Sequence, residues 1–158
     1  MQTITTEKRG VVVSLHIHPD NADHEMVSVE SFHLEAGKGI VDDGRYYDRS
    51  SRRHITLIER EVLAHHESLF DQLMLYPGRV RSNIETSGIN LSELLGKRVR
   101  VGSAMIDFYE ARLPCSKMDS ICVGLRATME NNRQGMIGFV VENGTIRIND
   151  PITALASS

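Results

Sequence analysis

The chain is poor in cysteine: Cys115 and Cys122, seven positions apart, are the only two among 158 residues. That count excludes a four-cysteine zinc site within one chain, and the Cys-x6-Cys spacing is unlike the short ligand spacings of zinc knuckles. Long apolar runs are missing too. No stretch approaches the ~20 residues that a membrane-spanning helix needs. The start, "MQTITTEKRG", lacks the apolar centre of a signal peptide. The expectation is therefore a cytoplasmic protein, whose reducing surroundings keep both cysteines as thiols. Charge of one sign is not in excess: the net charge is only −3, which implies no general attraction to nucleic acid or to anionic lipid. No nucleic-acid or membrane partner is expected. Nucleophile-elbow, P-loop and dinucleotide fingerprints are absent, as are internal repeats and low-complexity tracts.

What is present reads as strands and turns. The length suits one domain over residues 1–158, and 41% hydrophobic content is enough for a core. "GVVVSLHIHP" (Gly10–Pro19) is β-branched and ends in turn formers. "MVSVESFHLE" (Met26–Glu35) alternates, with Val27, Val29 and Phe32 or Leu34 as candidates for the buried face. "AGKGIVDDGRYYDRSSRR" has no periodicity and reads as a long functional loop. "HITLI" is strand-like, and from Glu59 the positions Val62, Leu63, Leu69 and Leu73 predict a helix. "YPGRVRSNIETSGIN" reads as loop, and "LSELLGK" as a helical turn capped by Asn90 or Ser92 and ended by Gly96. Alternating runs around Gly102-Ser103 predict a hairpin, and Asn143-Gly144 between two apolar runs predicts another. Several short strands, one helix and many glycine turns predict a mainly β fold, a closed or open barrel with minor helix.

Three segments carry candidate chemistry. In "RLPCSKMD", Cys115 follows Pro114, which fixes one φ, and lies between Arg112 and Lys117. A soft thiolate suits molybdenum or a transferable sulfur; on burial statistics alone, a small buried hydrophobe is the commoner role. Cys122, in the apolar "SICVGL", reads as core, with a resolving thiol for Cys115 as the alternative. The loop from Gly37 to Arg53 combines glycines, which let a ligand approach the backbone, with Arg45, Arg49, Arg52 and Arg53, which bind phosphate. It reads equally as a solvated loop whose arginines pair with Asp42, Asp43 and Asp48. In "RVRSNIET", Asn83 offers donors and an acceptor, and Arg79 and Arg81 add anion affinity; alternatively Asn83 braces a turn. His16 and His18 share a strand face and read as ordinary strand residues, and His65 and His66 as surface residues.

Four segments in order, "GKGIVDDGRYY" (Gly37–Tyr47), "RRHITLIERE" (Arg52–Glu61), "PGRVRSNIETSGINLSELLGKRVRVG" (Pro77–Gly102) and "RLPCSKMD" (Arg112–Asp119), closed by "GTIRINDPI" (Gly144–Ile152), together resemble the MOSC domain, named for the C-terminal domain of molybdenum cofactor sulfurases. The resemblance runs from about Val12 to about Ile152. It implies a β-barrel-like fold and a site for the molybdenum cofactor, a pterin dithiolene with a phosphate. It places the family cysteine on Cys115, as molybdenum ligand and catalytic residue, and cofactor contacts on Arg53, Arg81, Asn83, Arg45, Arg112 and Lys117. Small stand-alone bacterial members imply an oxidoreductase acting on N-hydroxylated compounds. The chain has no flavin or iron–sulfur motif, so an external electron-transfer protein and a small-molecule substrate are the expected partners. The other function implied is a carrier module, with Cys115 holding a persulfide or the cofactor for a molybdoenzyme. Pyridoxal phosphate belongs to the separate sulfurase domain and is not expected here. The family commonly has Gly-Asp after its first glycine pair. This chain reads Val41-Asp42-Asp43-Gly44, so either aspartate takes that position, and His54 stands where the family often has glutamine.

Overall fold

In a computed structural model, the structure describes residues 7–20, 24–45, 51–131 and 133–155. Eleven strands occur among them, in chain order β1 (Glu7–Ile17), β2 (Val27–Val29), β3 (Ser31–Glu35), β4 (Gly39–Ile40), β5 (Ile55–Glu59), β6 (Ile84–Ser87), β7 (Arg98–Val101), β8 (Ala104–Ala111), β9 (Met136–Glu142), β10 (Gly144–Arg147) and β11 (Pro151–Leu155). Three short helices interrupt them: α1 (Arg60–Ser68), α2 (Ser116–Ile121) and α3 (Leu125–Thr128).

Seven strands close on themselves in the order β11-β7-β8-β9-β5-β6-β1, because β1 pairs with β11 from Glu7↔Leu155 to Val11↔Pro151. The result is a barrel, which removes the exposed strand edges of an open sheet. β2 extends β1, and β10, β3 and β4 form a small second sheet. All neighbours pair antiparallel except β5 and β6.

The alternation that predicted strands is what fills the barrel. Ala104, Ile106 and Phe108 of β8 point inward and are fully buried, while Met105, Asp107 and Tyr109 are half-exposed. β5 is buried along its whole length because both faces are covered. Leu57 joins the barrel core, and Ile58 joins a second cluster with Leu63, Leu75, Val80, Met118, Leu125 and Met129. That second cluster seats α1, α2 and α3 against the outside of the barrel.

The mainly β barrel and the Gly102 hairpin match expectation; Val101 faces Ala104 across the turn. Asn90 caps a single 3-10 turn over Leu91–Leu94, its side chain accepting from the Ser92 N–H. Other expectations are corrected. Asn143-Gly144 forms no hairpin: β10 leaves β9 and pairs with β3, with Asn143 Oδ1 accepting from the Ala36 N–H. A Cβ at Gly144 would overlap the backbone of Ser103 and Ala104, so glycine serves close packing there. The stretch read as loop after Pro77 contains β6, which lies parallel to β5. The run from Met26 breaks at Glu30 into two strands; Phe32 and Leu34 are buried, whereas Val27 is exposed. The helix after Glu59 ends at Ser68, leaving Leu69 half-exposed. His66, read as surface, is fully buried with Nε2 against the Arg133 carbonyl at 3.0 Å, and burial lowers its pKa.

Candidate functional site

A cavity of about 510 Å3 opens beside the barrel wall where the exit of β1, the entries to β5 and β6 and the exit of β8 converge. Cys115, Arg45, Arg53, Arg81, Asn83, Arg112 and Lys117 all line it, so one cavity gathers the cysteine and the cofactor contacts that the resemblance implied, whereas Arg52, Arg79 and Cys122 lie outside its lining. Lys38 joins them, so that among the described residues the lining holds six cationic side chains and one carboxylate, Asp43. On a chain of net charge −3 this local excess marks a site for an anion.

Arg112 is its deepest cation, with 6% of its surface exposed. Its backbone N–H donates to the Gly135 carbonyl, and its guanidinium donates to the Val80 carbonyl (3.1 Å) and Ser82 Oγ (2.9 Å). Among the described residues no carboxylate pairs with it. Burial, together with the repulsion of Arg53, Arg81 and Arg45, brings its pKa down to about 9. A buried guanidinium without a counter-charge is costly until an anion neutralises it. Arg53 sits at the open rim, its pKa also lowered by desolvation and by Arg45. Arg81 adopts φ +67, a left-handed backbone that non-glycine residues seldom take. That turn follows from hydrogen bonds on either side: Arg81 N–H donates to the Gly78 carbonyl, and Gly78 N–H to buried Glu85.

Cys115 is exposed, a free thiol at the residue just ahead of α2. It lies within electrostatic reach of the Arg112 and Arg53 guanidinium groups. Cys122 closes the other end of α2. Seven helical steps place the two Cα atoms about 10 Å apart, beyond the ~7 Å reach of a disulfide. The resolving-thiol alternative therefore requires α2 to unwind. Cys122 is half-buried and packs on the second core cluster, as read.

The choice between the two aspartates falls to tertiary structure. Asp42 is exposed; Asp43 turns into the cavity. Burial alone would raise the Asp43 carboxyl, but the His18 backbone N–H (2.9 Å) and ring Nδ1 (2.8 Å), with the Arg45 N–H, outweigh it and hold its pKa below the usual range. Asn83 lines the same cavity but spends its amide on the protein. Its Oδ1 accepts from Thr56 N–H and Oγ1, and its Nδ2 donates to the His16 carbonyl (3.2 Å) and toward Asp43 (3.5 Å). It holds β1, β5 and Asp43 in register.

The reading of His18 needs correction: it lies beyond the end of β1 and is a cavity residue paired with Asp43. His16 is a strand residue of β1, as read, and is fully buried, its Nδ1 against the Ser82 carbonyl at 2.8 Å. Sequence spacing gave no signal for His18, because its partner lies 25 positions away. His54 stacks on Phe139 at 4.4 Å and accepts at Nδ1 from the Val140 N–H. Burial lowers its pKa, consistent with a neutral acceptor ring. Arg52 lies over the Tyr109 and Phe139 rings, while Arg49 and Asp48 fall outside the described residues.

The MOSC domain family model matches residues 31–153, which leave out β1 of the barrel and His18 of the cavity lining but take in the rest of the described lining. The chain belongs to the MOSC domain family. Solved structures agree with this MOSC assignment at the level of fold. The YuaD protein from Bacillus subtilis superposes with a TM-score of 0.79 at 14% identity, covering 98% of this chain and 100% of its own. YiiM from Escherichia coli gives 0.67 at 21% identity, covering 94% of this chain and 70% of its own, and YiiM from Geobacillus stearothermophilus 0.73 at 16%, covering 94% and 75%. No curated protein matches the MOSC chain. The family is associated with molybdenum-cofactor binding, and the residues present fit that group: buried Arg112, which pairs with no described carboxylate, suits the pterin phosphate, and Cys115 is a soft donor on the same cavity. Among the described residues no cluster of three or more His, Cys, Asp or Glu forms a separate metal site, and no helix is long and apolar enough to cross a membrane.

Proposed function

We propose that this MOSC domain holds the molybdenum cofactor in the basic cavity and reduces N-hydroxylated compounds with electrons from an external protein donor. The observation that carries this reading is the convergence of the Cys115 thiol and buried Arg112 on one cavity with six cations. Cys115 would ligate molybdenum. Arg112, backed by Arg53, Arg45 and Lys117, would hold the phosphate and the anionic ring system. Arg81, fixed in its left-handed turn, presents a further cation from the β6 side. When bound, the cofactor supplies two electrons to the substrate N–O bond.

Breaking that bond to leave an N–H and water consumes two protons. His18 would hand one over. The ionised Asp43 carboxylate accepts its Nδ1–H, which orients the ring and leaves Nε2 as the nitrogen that exchanges a proton. Asn83 keeps Asp43 in place from the other side. The test is metal and pterin analysis of protein made in cells able to synthesise the cofactor. Molybdenum near one per chain in the wild type and absent from Cys115→Ser is expected, followed by turnover of a hydroxylamine with a reduced flavoprotein donor. Cofactor-loaded protein that never turns over with any competent donor would overturn the reductase assignment.

A second reading, a carrier of persulfide sulfur or of the cofactor for a molybdoenzyme, rests on the exposure of Cys115, which a partner protein can reach. A persulfide on Cys115 in the purified protein, with no molybdenum in the wild type, would favour it.

A further inference from the structure

A second cavity, about 430 Å3, lies behind the wall made by Arg81, Lys117 and Met118, which line both cavities. α2 runs from one to the other. Cys115 precedes its first residue, Lys117 and Met118 form the common wall, and Ser120 and Ile121 face the second space. The opposite side is the turn before β6, with Tyr76, Gly78 and Arg79, joined by Glu25 and Met26.

That side is a rigid aromatic platform. Tyr76 is 44% exposed, yet it is fixed at two points. Its hydroxyl donates to Glu25 at 2.6 Å, and the Arg79 guanidinium lies 5.1 Å from its ring centroid. Arg79 in turn donates to the Met74 carbonyl at 2.7 Å and forms no ion pair with a described carboxylate. Buried Glu85 anchors the turn through the Gly78 N–H, and a Cβ on Gly78 would press on the His16 ring. Arg79, Arg81 and Lys117 lie on the lining, and among the described residues Glu25 is its one carboxylate, already engaged by Tyr76. The apolar share of the lining comes from Met26, Met118 and Ile121. A preformed ring, thioethers and the Arg79 guanidinium in a space of ligand size fit a planar aromatic molecule that carries an anionic group.

We infer that this second cavity is the substrate subsite, which binds a planar aromatic anion stacked on Tyr76 and Arg79, with its far end directed past Met118 toward Cys115. The word substrate rests on the reductase reading above; the binding itself does not.

The test uses cofactor-free protein, so its outcome is independent of molybdenum loading. NMR titration with 2-naphthoate is compared with 2-naphthylmethanol, which lacks the charge, and acetate, which lacks the ring. Saturable shifts at Tyr76, Arg79, Ser120 and Ile121 with naphthoate are expected, with far weaker binding of both comparators. Tyr76→Ala and Arg79→Ala should each weaken naphthoate by about tenfold, the loss of one aromatic or cation–π contact. Arg112→Met should leave the affinity unchanged. Saturating naphthoate should also slow iodoacetamide labelling of Cys115, read by peptide mass, and Tyr76→Ala should move this protection to about tenfold higher naphthoate. Shifts confined to the first cavity and lost in Arg112→Met would overturn the inference, as would binding at Tyr76 that leaves Cys115 labelling untouched.

Discussion

Replacing Arg112 with methionine is expected to stabilise the cofactor-free protein while abolishing its response to phosphate. The guanidinium is buried and its pKa falls from the ordinary arginine range to about 9. At ~1.4 kcal/mol per pH unit, that drop corresponds to about 4–5 kcal/mol of unfavourable burial of the charge. Methionine removes that cost and keeps much of the volume. It also deprives the Val80 carbonyl and Ser82 Oγ of their donor, a loss of ~1–2 kcal/mol each. The net expectation is a gain of about 1–2 kcal/mol, or a rise in Tm of about 3–6 °C for a chain of this size. The sign with pH follows from linkage. The folded pKa lies below the unfolded one, so above about pH 9 the unfolded chain binds a proton that the folded chain does not. Wild-type stability from this group therefore recovers as pH rises through about 9, and the advantage of the variant shrinks there. Thermal melts of both proteins from neutral pH to above 9, with and without phosphate, read all of this. Phosphate should raise the wild-type Tm by mass action and leave the variant unchanged. A variant less stable than wild type at neutral pH that still gains the full phosphate shift would refute the reasoning.

Asp43→Asn should remove a stabilising contribution that exists only where the carboxylate is ionised. Because the folded pKa lies below 3.8, the wild-type advantage is present above that value and is lost as pH falls through the folded pKa, which acid titration of both proteins followed by circular dichroism would show. Gly135→Ala is expected to be severely destabilising, by roughly 3 kcal/mol or more, because Gly135 has φ +86 and an added Cβ would overlap the Leu57 carbonyl; urea denaturation measures it. Phe108→Ala, at a fully buried barrel position, should lose about 3–5 kcal/mol in the same assay. Cys115→Ser, on an exposed residue, should leave the melting curve within about 0.5 kcal/mol of wild type while molybdenum content falls to background.

The strands of the barrel were legible because alternation is a local consequence of the pleat: Ala104, Ile106 and Phe108 declare an inward face wherever the strand is placed. The turn at Gly102 was legible for the same reason, a short connection whose two strands are neighbours in sequence and in space. Asn143-Gly144 carries a stronger local signal, yet its strands part, because β10 finds its partner in β3, more than a hundred positions away. β6 escaped notice since its pairing with β5 is parallel and its short span, Ile84–Ser87, is buried on both faces and lacks alternation.

The cationic residues and Cys115 stand out by type and by their resemblance to a family pattern, and the sequence alone determined that this is a β-rich chain with a lone proline-linked cysteine amid arginines. Tertiary structure alone decided which aspartate enters the cavity, that His18 joins it, that Asn83 braces the site, and that Arg112 is the buried cation. Local patterning is written in periods of a few residues. Burial, counter-charge and hydrogen-bond partnership depend on groups brought together from distant segments, and closure of the barrel is what brings them together.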